Sequence, residues 1–177
     1  MRQVIRKWVW AWEFDKEEKW LNDMAAQGKA LVSARYATYE FEGSEPGEYA
    51  IRLEMLENAP DSEAGMAYIS FVEETGAEQV GSYLNWVYFR KKGQFEIFSD
   101  YSTKIKHLSR IISLVALLAV LNLAAFLYNL IVVILIIGEP VGLMSCINLF
   151  LAIFSGIGMH KLRKKREALK NEQRVFE

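Results

Sequence analysis

Two stretches of the chain carry no charged side chain at all: residues 111–137, a run of 27, and residues 141–159, a run of 19. About 20 apolar residues in a helix cross about 30 Å of hydrocarbon. Both runs therefore predict transmembrane helices, roughly 40 Å and roughly 28 Å long at helical rise. Gly138-Glu139-Pro140 separates them, and Gly and Pro favour a tight turn. So short a link predicts an antiparallel hairpin. The hundred residues before it are patterned differently. Val4–Trp12 alternates, with Trp8, Trp10 and Trp12 on one side, as a strand does. Asp15–Gln27 places Trp20, Leu21, Met24 and Ala25 on one helical stripe, with Asp15 as the expected N-cap and Gly28 as the stop. Lys29–Glu42 and Glu48–Leu56 read as strands around the turn Gly43–Gly47, Asp61–Thr75 as a second helix, and Glu78–Lys91 as a strand. Phe95–Phe98 is expected to add a short hairpin partner.

The order β-α-β-β-α-β predicts an α+β fold: a ferredoxin-like antiparallel sheet with two helices on one face, followed by the two-helix transmembrane hairpin. The expected organisation is an α+β domain over residues 1–100, a basic linker over 101–110 and spans over 111–137 and 141–159. A turn over 138–140 and a basic tail over 160–177 complete it. The uncovered face of such a sheet meets solvent or a partner. Trp8, Trp10, Trp12, Trp86 and Tyr88 are the candidates for that partner-binding face, with burial in the core as the competing expectation.

Charge sharpens this division. Residues 1–100 hold 11 Lys/Arg and 18 Asp/Glu, a net of −7; residues 101–177 hold 10 and 4, a net of +6. Lys104, Lys106 and Arg110 precede the first span, and Lys161, Arg163, Lys164, Lys165 and Arg166 follow the second, whereas the turn has no basic residue. Basic flanks stay in the cytoplasm, so both termini are expected inside, in a multi-pass protein of the plasma membrane. The same clusters attract anionic lipid. Inside the spans, Asn122 with Ser155 and Asn129 with Asn148 share depths in an antiparallel hairpin, which predicts two interhelical hydrogen-bonded pairs.

Candidate chemistry is sparse. Residues 1–100 contain neither histidine nor cysteine, which removes Ser/His/Asp and Cys/His catalysis and makes a zinc site improbable there. No phosphate-binding glycine motif occurs, and no cofactor is expected. Carboxylates are plentiful, but Glu17 and Glu18 sit in the first turns of a helix, where acids suit the macrodipole. A net charge of −7 argues against nucleic acid as a partner. The expected partners are the lipid bilayer and a cytoplasmic or membrane protein, with homo-oligomerisation open.

Five segments carry a resemblance: W-A-W-E-F-D-K-E-E-K-W-L-N-D-M-A-A-Q-G (10–28), P-G-E-Y (46–49), Y-I-S-F-V-E-E-T-G-A-E (68–78), W-V-Y-F-R-K-K (86–92) and F-S-D-Y-S-T-K-I-K-H (98–107). Together they resemble the bacterial membrane family known as domain of unknown function 2812. The resemblance implies a cytoplasmic domain followed by membrane helices, in genes often neighbouring PadR-type transcriptional regulators. It supplies no catalytic residues. The expected function is a membrane-anchored regulatory or sensory interaction protein without catalysis. An accessory subunit of a larger membrane complex, such as a transporter, is the alternative. A carboxylate-based enzyme acting on a membrane-associated substrate comes third.

Overall fold

A computed structural model of the 177-residue chain describes residues 2–97, 101–132 and 142–176. The chain divides into two compact units, Met1–Asp100 and Tyr101–Glu177.

The first unit contains β1 (Gln3–Arg6), α1 (Phe14–Ala26), β2 (Lys29–Arg35), β3 (Thr38–Gly43), β4 (Tyr49–Met55), α2 (Glu63–Glu74), β5 (Glu78–Tyr83) and β6 (Trp86–Lys92). Helix α1 is preceded by a single 3-10 turn at Ala11–Glu13 and stopped by Gly28 at φ +78°. Ser62 caps α2 by accepting a hydrogen bond from the Gly65 N–H, and Gly76 ends that helix at φ +86°. The six strands form one sheet in the order β1-β3-β2-β5-β6-β4. All neighbours are antiparallel except β2 and β5, which run parallel through the single pair Ala34–Gly81.

The two helices lie on opposite faces of this sheet. Alternate residues of a strand point to opposite sides. On β6, Val87 and Phe89 join Leu56, Ile69 and Val72 in the core beneath α2. Tyr88 instead bonds Glu17 of α1, and Trp86 packs against Phe14. The α1 side also holds Tyr39 and Phe41, both ring-to-ring with Trp20. This corrects the ferredoxin-like expectation of two helices on one face. The mixed α+β class stands, but Lys29–Glu42 and Glu78–Lys91 are each a hairpin rather than one strand, which adds strands and changes their order.

The arrangement is a β-α-β-β unit used twice. In β1-α1-β2-β3, strand β3 lies between β1 and β2; in β4-α2-β5-β6, strand β6 lies between β4 and β5. Positions recur 48 residues apart. Gly28 matches Gly76, the bulge between Leu31 and Ser33 matches that between Gln79 and Gly81, and Phe41 matches Phe89. Leu21 and Met24 on α1 match Ile69 and Val72 on α2, and all four are buried. Parallel pairing of β2 with β5, with helices on opposite faces, relates the halves by a pseudo-two-fold axis in the sheet plane, along the strands. The halves meet closely: a Cβ on Gly81 would strike the Ala34 carbonyl oxygen. Arg90 ties them, its Nη1 donating to Leu31 O at 2.9 Å and its Nε to Glu78 at 2.9 Å.

Two further differences concern the ends of the first unit. Of the alternating segment Val4–Trp12 only Val4, Ile5 and Arg6 are strand, as the end of β1. The Lys7 N–H still donates to Ala37 O, and beyond it the chain leaves the sheet, so Trp8, Trp10 and Trp12 are not a strand face. Residues 95–97 form no strand; Phe95 is buried in the α2-side core, and Phe98 lies outside the described residues.

In the second unit, α3 (Tyr101–Val132) and α4 (Leu143–Phe176) are both long and apolar enough to cross a membrane, and they pack on each other. Large apolar side chains such as Leu121, Leu127, Phe150 and Ile153 stay exposed along them. The Gly138–Pro140 turn lies outside the described residues. The expected linker 101–110 and the tail up to residue 176 are not separate segments but continuations of α3 and α4. Their Lys, Arg, Glu, Leu and Ala content, without Gly or Pro, favours helix.

Candidate interaction surface

At one end of the sheet, β1, β2 and β5 finish and β3 and β6 begin. The loop from Lys7 to Trp10 and the turns Tyr36–Ala37 and Leu84–Asn85 meet solvent there. Aromatic side chains link these three loops. Trp8 packs edge-on against Trp10 at 5.4 Å and against Tyr36 at 5.1 Å, and Tyr36 reaches Tyr83 at 4.6 Å. Trp10 stacks on Trp12 at 5.5 Å, anchoring the cluster in the core. Trp8 is 54% exposed, Trp10 41% and Leu84, at the tip of its turn, 70%; Tyr36 and Tyr83 are exposed as well. Contiguous exposed apolar surface of this kind marks a binding site in folded proteins. Arg6 and Arg35, also exposed, are the last residues of β1 and β2, next to Lys7–Trp8 and Tyr36, and neither forms an ion pair among the described residues.

The five expected partner-binding residues therefore divide. Trp8 and Trp10 lie in the exposed cluster, whereas Trp12, Trp86 and Tyr88 are buried. Sequence reading missed Tyr36, Tyr83 and Leu84, which join the cluster only because two hairpin turns come together. Their signal was the aromatic pair flanking each turn, Tyr36 before Tyr39 and Tyr83 before Trp86.

Beneath this end, α1 carries a buried polar centre. Tyr39 and Tyr88 both donate to Glu17 Oε1, at 2.6 and 2.7 Å. Burial pushes the Glu17 carboxyl above its usual range, against the opposing pull of the two phenols and of Lys7. Burial raises both tyrosines too, with the nearby Glu17 charge adding to it, so they remain hydroxyl donors. Lys7 lies over the Trp20 ring at 4.1 Å. Every oxygen and hydroxyl named here faces another protein group, as a structural network requires.

One turn away, α1 seals the outer edge of the sheet. Asn22 accepts from the Ile51 N–H and donates to the Ile51 carbonyl, and Glu18 accepts from the Leu53 N–H at 2.9 Å, with Arg52 3.7 Å away. These are the outward-facing backbone groups of β4, an edge strand, and side chains satisfy them in place of another strand.

In the second unit, Lys161, Arg163 and Lys164 are exposed on α4 beside the fully buried Leu162; Lys165 and Arg166 are half-buried, and Arg166 pairs with Glu167 at 3.2 Å. Lys104, Lys106 and Arg110 lie on the first turns of α3. The two expected interhelical pairs do not form. Asn122 donates to Leu118 O and Asn129 to Ala125 O, each at 2.8 Å within its own helix. No hydrogen bond joins Asn122 to Ser155 or Asn129 to Asn148 among the described residues. A carbonyl four residues back is nearer to an asparagine than the neighbouring helix is, and it satisfies the amide locally. Ser155 is buried without needing Asn122.

The chain belongs to the family described as protein of unknown function (DUF2812), whose model matches residues 13–120. The match begins at the turn before α1, covers the rest of the sheet unit and runs into α3, so the family model spans both units. No curated protein and no solved structure matches the chain.

Proposed function

We propose that this member of the DUF2812 family is a membrane-anchored regulatory or sensory protein that works by binding rather than by catalysis. In this reading α3 and α4 both span the plasma membrane, the basic residues at their outer ends keep both termini in the cytoplasm, and the sheet unit is a cytoplasmic recognition domain. The observation that carries the reading is the exposed cluster Trp8–Trp10–Tyr36–Tyr83–Leu84, joined in one chain to two helices long and apolar enough to cross a bilayer. Trp, Tyr and Arg are the residue types that dominate binding hot spots, and here they are gathered at one end of an otherwise acidic unit. The Glu17 centre supports the same conclusion, since its carboxylate is occupied by two tyrosines rather than poised toward a substrate.

Two experiments test this. Reporter fusions at the two termini are expected to place both in the cytoplasm; an external amino terminus overturns the anchoring. A photo-crosslinking residue in place of Tyr36 in the intact chain in cells is expected to yield a discrete adduct that Trp8→Ala with Trp10→Ala abolishes. No adduct, or an adduct indifferent to the tryptophans, overturns the recognition role. An accessory subunit of a larger complex would instead co-purify with it stoichiometrically through α3 and α4 when the cluster is removed.

A further inference from the structure

The aromatic end can meet a protein or the lipid surface to which the chain is attached, and the observations favour lipid. Its side chains are two tryptophans, two tyrosines and a leucine at the tip of a turn. Indole and phenol rings have an apolar body and a polar edge, and they settle at the headgroup boundary of bilayers. Leu84 projects furthest by exposure, on a backbone at φ +51° that holds the turn tight. Charge gives the contact a direction. Residues 1–100 carry a net of −7, so an anionic bilayer repels most of the unit. At the aromatic end, however, Arg6 and Arg35 are exposed without an ion pair among the described residues, Glu13, at the foot of the loop, is neutralised by Lys16 at 2.6 Å, and the exposed acid nearest Leu84 is Glu57, whose carbonyl accepts from Asn85. An acidic body with one arginine-bearing aromatic end meets anionic lipid best by that end. The tether supplies the concentration: a domain linked to a membrane helix makes its second contact intramolecularly, so a small patch suffices.

We propose that the Trp8–Trp10–Tyr36–Tyr83–Leu84 end of the first unit docks reversibly on the headgroup region of an anionic bilayer, with Arg6 and Arg35 on lipid phosphates. This rests on the membrane-anchored reading above and names the partner of its recognition surface. Docked, the aromatic cluster is withheld from a protein; undocked, it is offered. The lipid charge of the membrane thereby sets how much of the recognition surface is available.

All five tryptophans of the chain lie in the first unit, so their emission reports that unit alone. The intact chain is reconstituted into phosphatidylcholine vesicles with and without phosphatidylglycerol, with bromine carried on the acyl chains just below the headgroups. Bromine is expected to quench emission in the anionic vesicles and far less in the neutral ones, and Trp8→Phe with Trp10→Phe is expected to remove that quenching. Arg6→Gln and Arg35→Gln are each expected to lower the docked-to-undocked ratio about fivefold, as loss of one basic residue near an anionic surface does. Emission untouched by bromine in anionic vesicles but quenched by aqueous acrylamide at Trp8 and Trp10 overturns lipid docking and leaves a protein as the occupant. Release of the chain from the vesicles by alkaline carbonate is a different failure, because it overturns the anchoring itself.

Discussion

Asn22 of α1 and Ile51 of β4 exchange two hydrogen bonds: the asparagine side chain accepts from the Ile51 N–H at 3.0 Å and donates to its carbonyl at 2.9 Å. A helix side chain thus makes the pair of bonds that a neighbouring strand would make, at the edge where the sheet stops. Asn22→Ala leaves the Ile51 N–H facing the side of a helix with no partner, while the Ile51 carbonyl keeps its bond from Arg52 Nη1 at 2.9 Å. The expected cost is about 2 kcal/mol, in line with unsatisfied buried polar groups. Asn22→Asp keeps the acceptor, loses the donor and is expected to fall between. Urea unfolding of the chain in detergent, followed by tryptophan emission, measures both; an alanine variant as stable as the parent shows that water replaces the amide at no cost.

Glu17 gives a pH prediction with a definite sign. Burial raises its carboxyl in the folded state above the ordinary value, so the folded chain holds this proton more tightly than the unfolded chain does. The contribution of Glu17 is complete below the ordinary carboxyl range and is lost as pH rises from there through the raised value. Glu17→Gln keeps an oxygen for the Tyr39 and Tyr88 hydroxyls and carries no charge. Its stability relative to the parent is expected to be lowest in acid and to improve as pH increases toward neutrality. Glu17→Ala strands two buried phenols and is expected to cost about 2 kcal/mol or more at any pH. Denaturant midpoints at several pH values, taken as parent minus variant, isolate this residue from other carboxylates such as Glu48, which Lys92 holds below its usual range. A difference that does not vary with pH sinks the assignment.

Gly81→Ala tests the seam between the halves. The new methyl would strike the Ala34 carbonyl, at the one pair that joins β2 to β5. The strands must separate, and the expected loss is about 2 kcal/mol or more, at the upper part of the range for overpacking. Gly43→Ala, with open space around its position, is the control and is expected to change stability little. Equal effects from the two would show that β2 and β5 are not in contact in solution.

Asn122→Leu and Asn129→Leu are expected to leave the α3–α4 unit within about 0.5 kcal/mol of the parent, because each amide is satisfied by its own helix. An interhelical bond lost from a bilayer would cost about 0.6–2 kcal/mol. Thermal unfolding in lipid nanodiscs, read by circular dichroism, distinguishes the two, and a large loss from either variant restores the cross-helix pairing.

The parts of the molecule that sequence exposes are those where one physical rule governs a whole segment. The uncharged runs 111–137 and 141–159 predict long apolar helices, and α3 and α4 carry them within the described residues, while Gly28 ends α1 because its backbone takes φ +78°. The hairpins were hidden because their left-handed turn residues are Ala37 and Leu84, not the glycine or asparagine that signals such a turn. Without that signal each hairpin reads as one long strand. The alternation of Trp8, Trp10 and Trp12 imitates a strand, yet Trp10 only leads into the 3-10 turn at Ala11. The doubled unit is concealed more deeply. Gly28 and Gly76, Val32 and Val80, and Phe41 and Phe89 are identical, but Glu17, Glu18 and Asn22 face Gly65, Met66 and Ser70 at the matching places. Burial preserves shape at core positions and leaves polar positions free to diverge: α2 carries no counterpart of Glu17, Glu18 or Asn22 at the matching places, and the second half instead bonds Tyr68 of α2 to the buried Glu54 of β4 at 2.8 Å.

The doubled unit also bears on where the polypeptide tolerates being cut. Ser44–Gly47 joins two segments that each hold a helix and three strands, and each buries its own Phe beneath its own helix. Two genes broken at that loop would each encode a whole module, and the products have a ready means of recombining through the Ala34–Gly81 seam and the reach of Arg90. The same geometry is the one that two identical short polypeptides would adopt if they paired side by side, strand along strand.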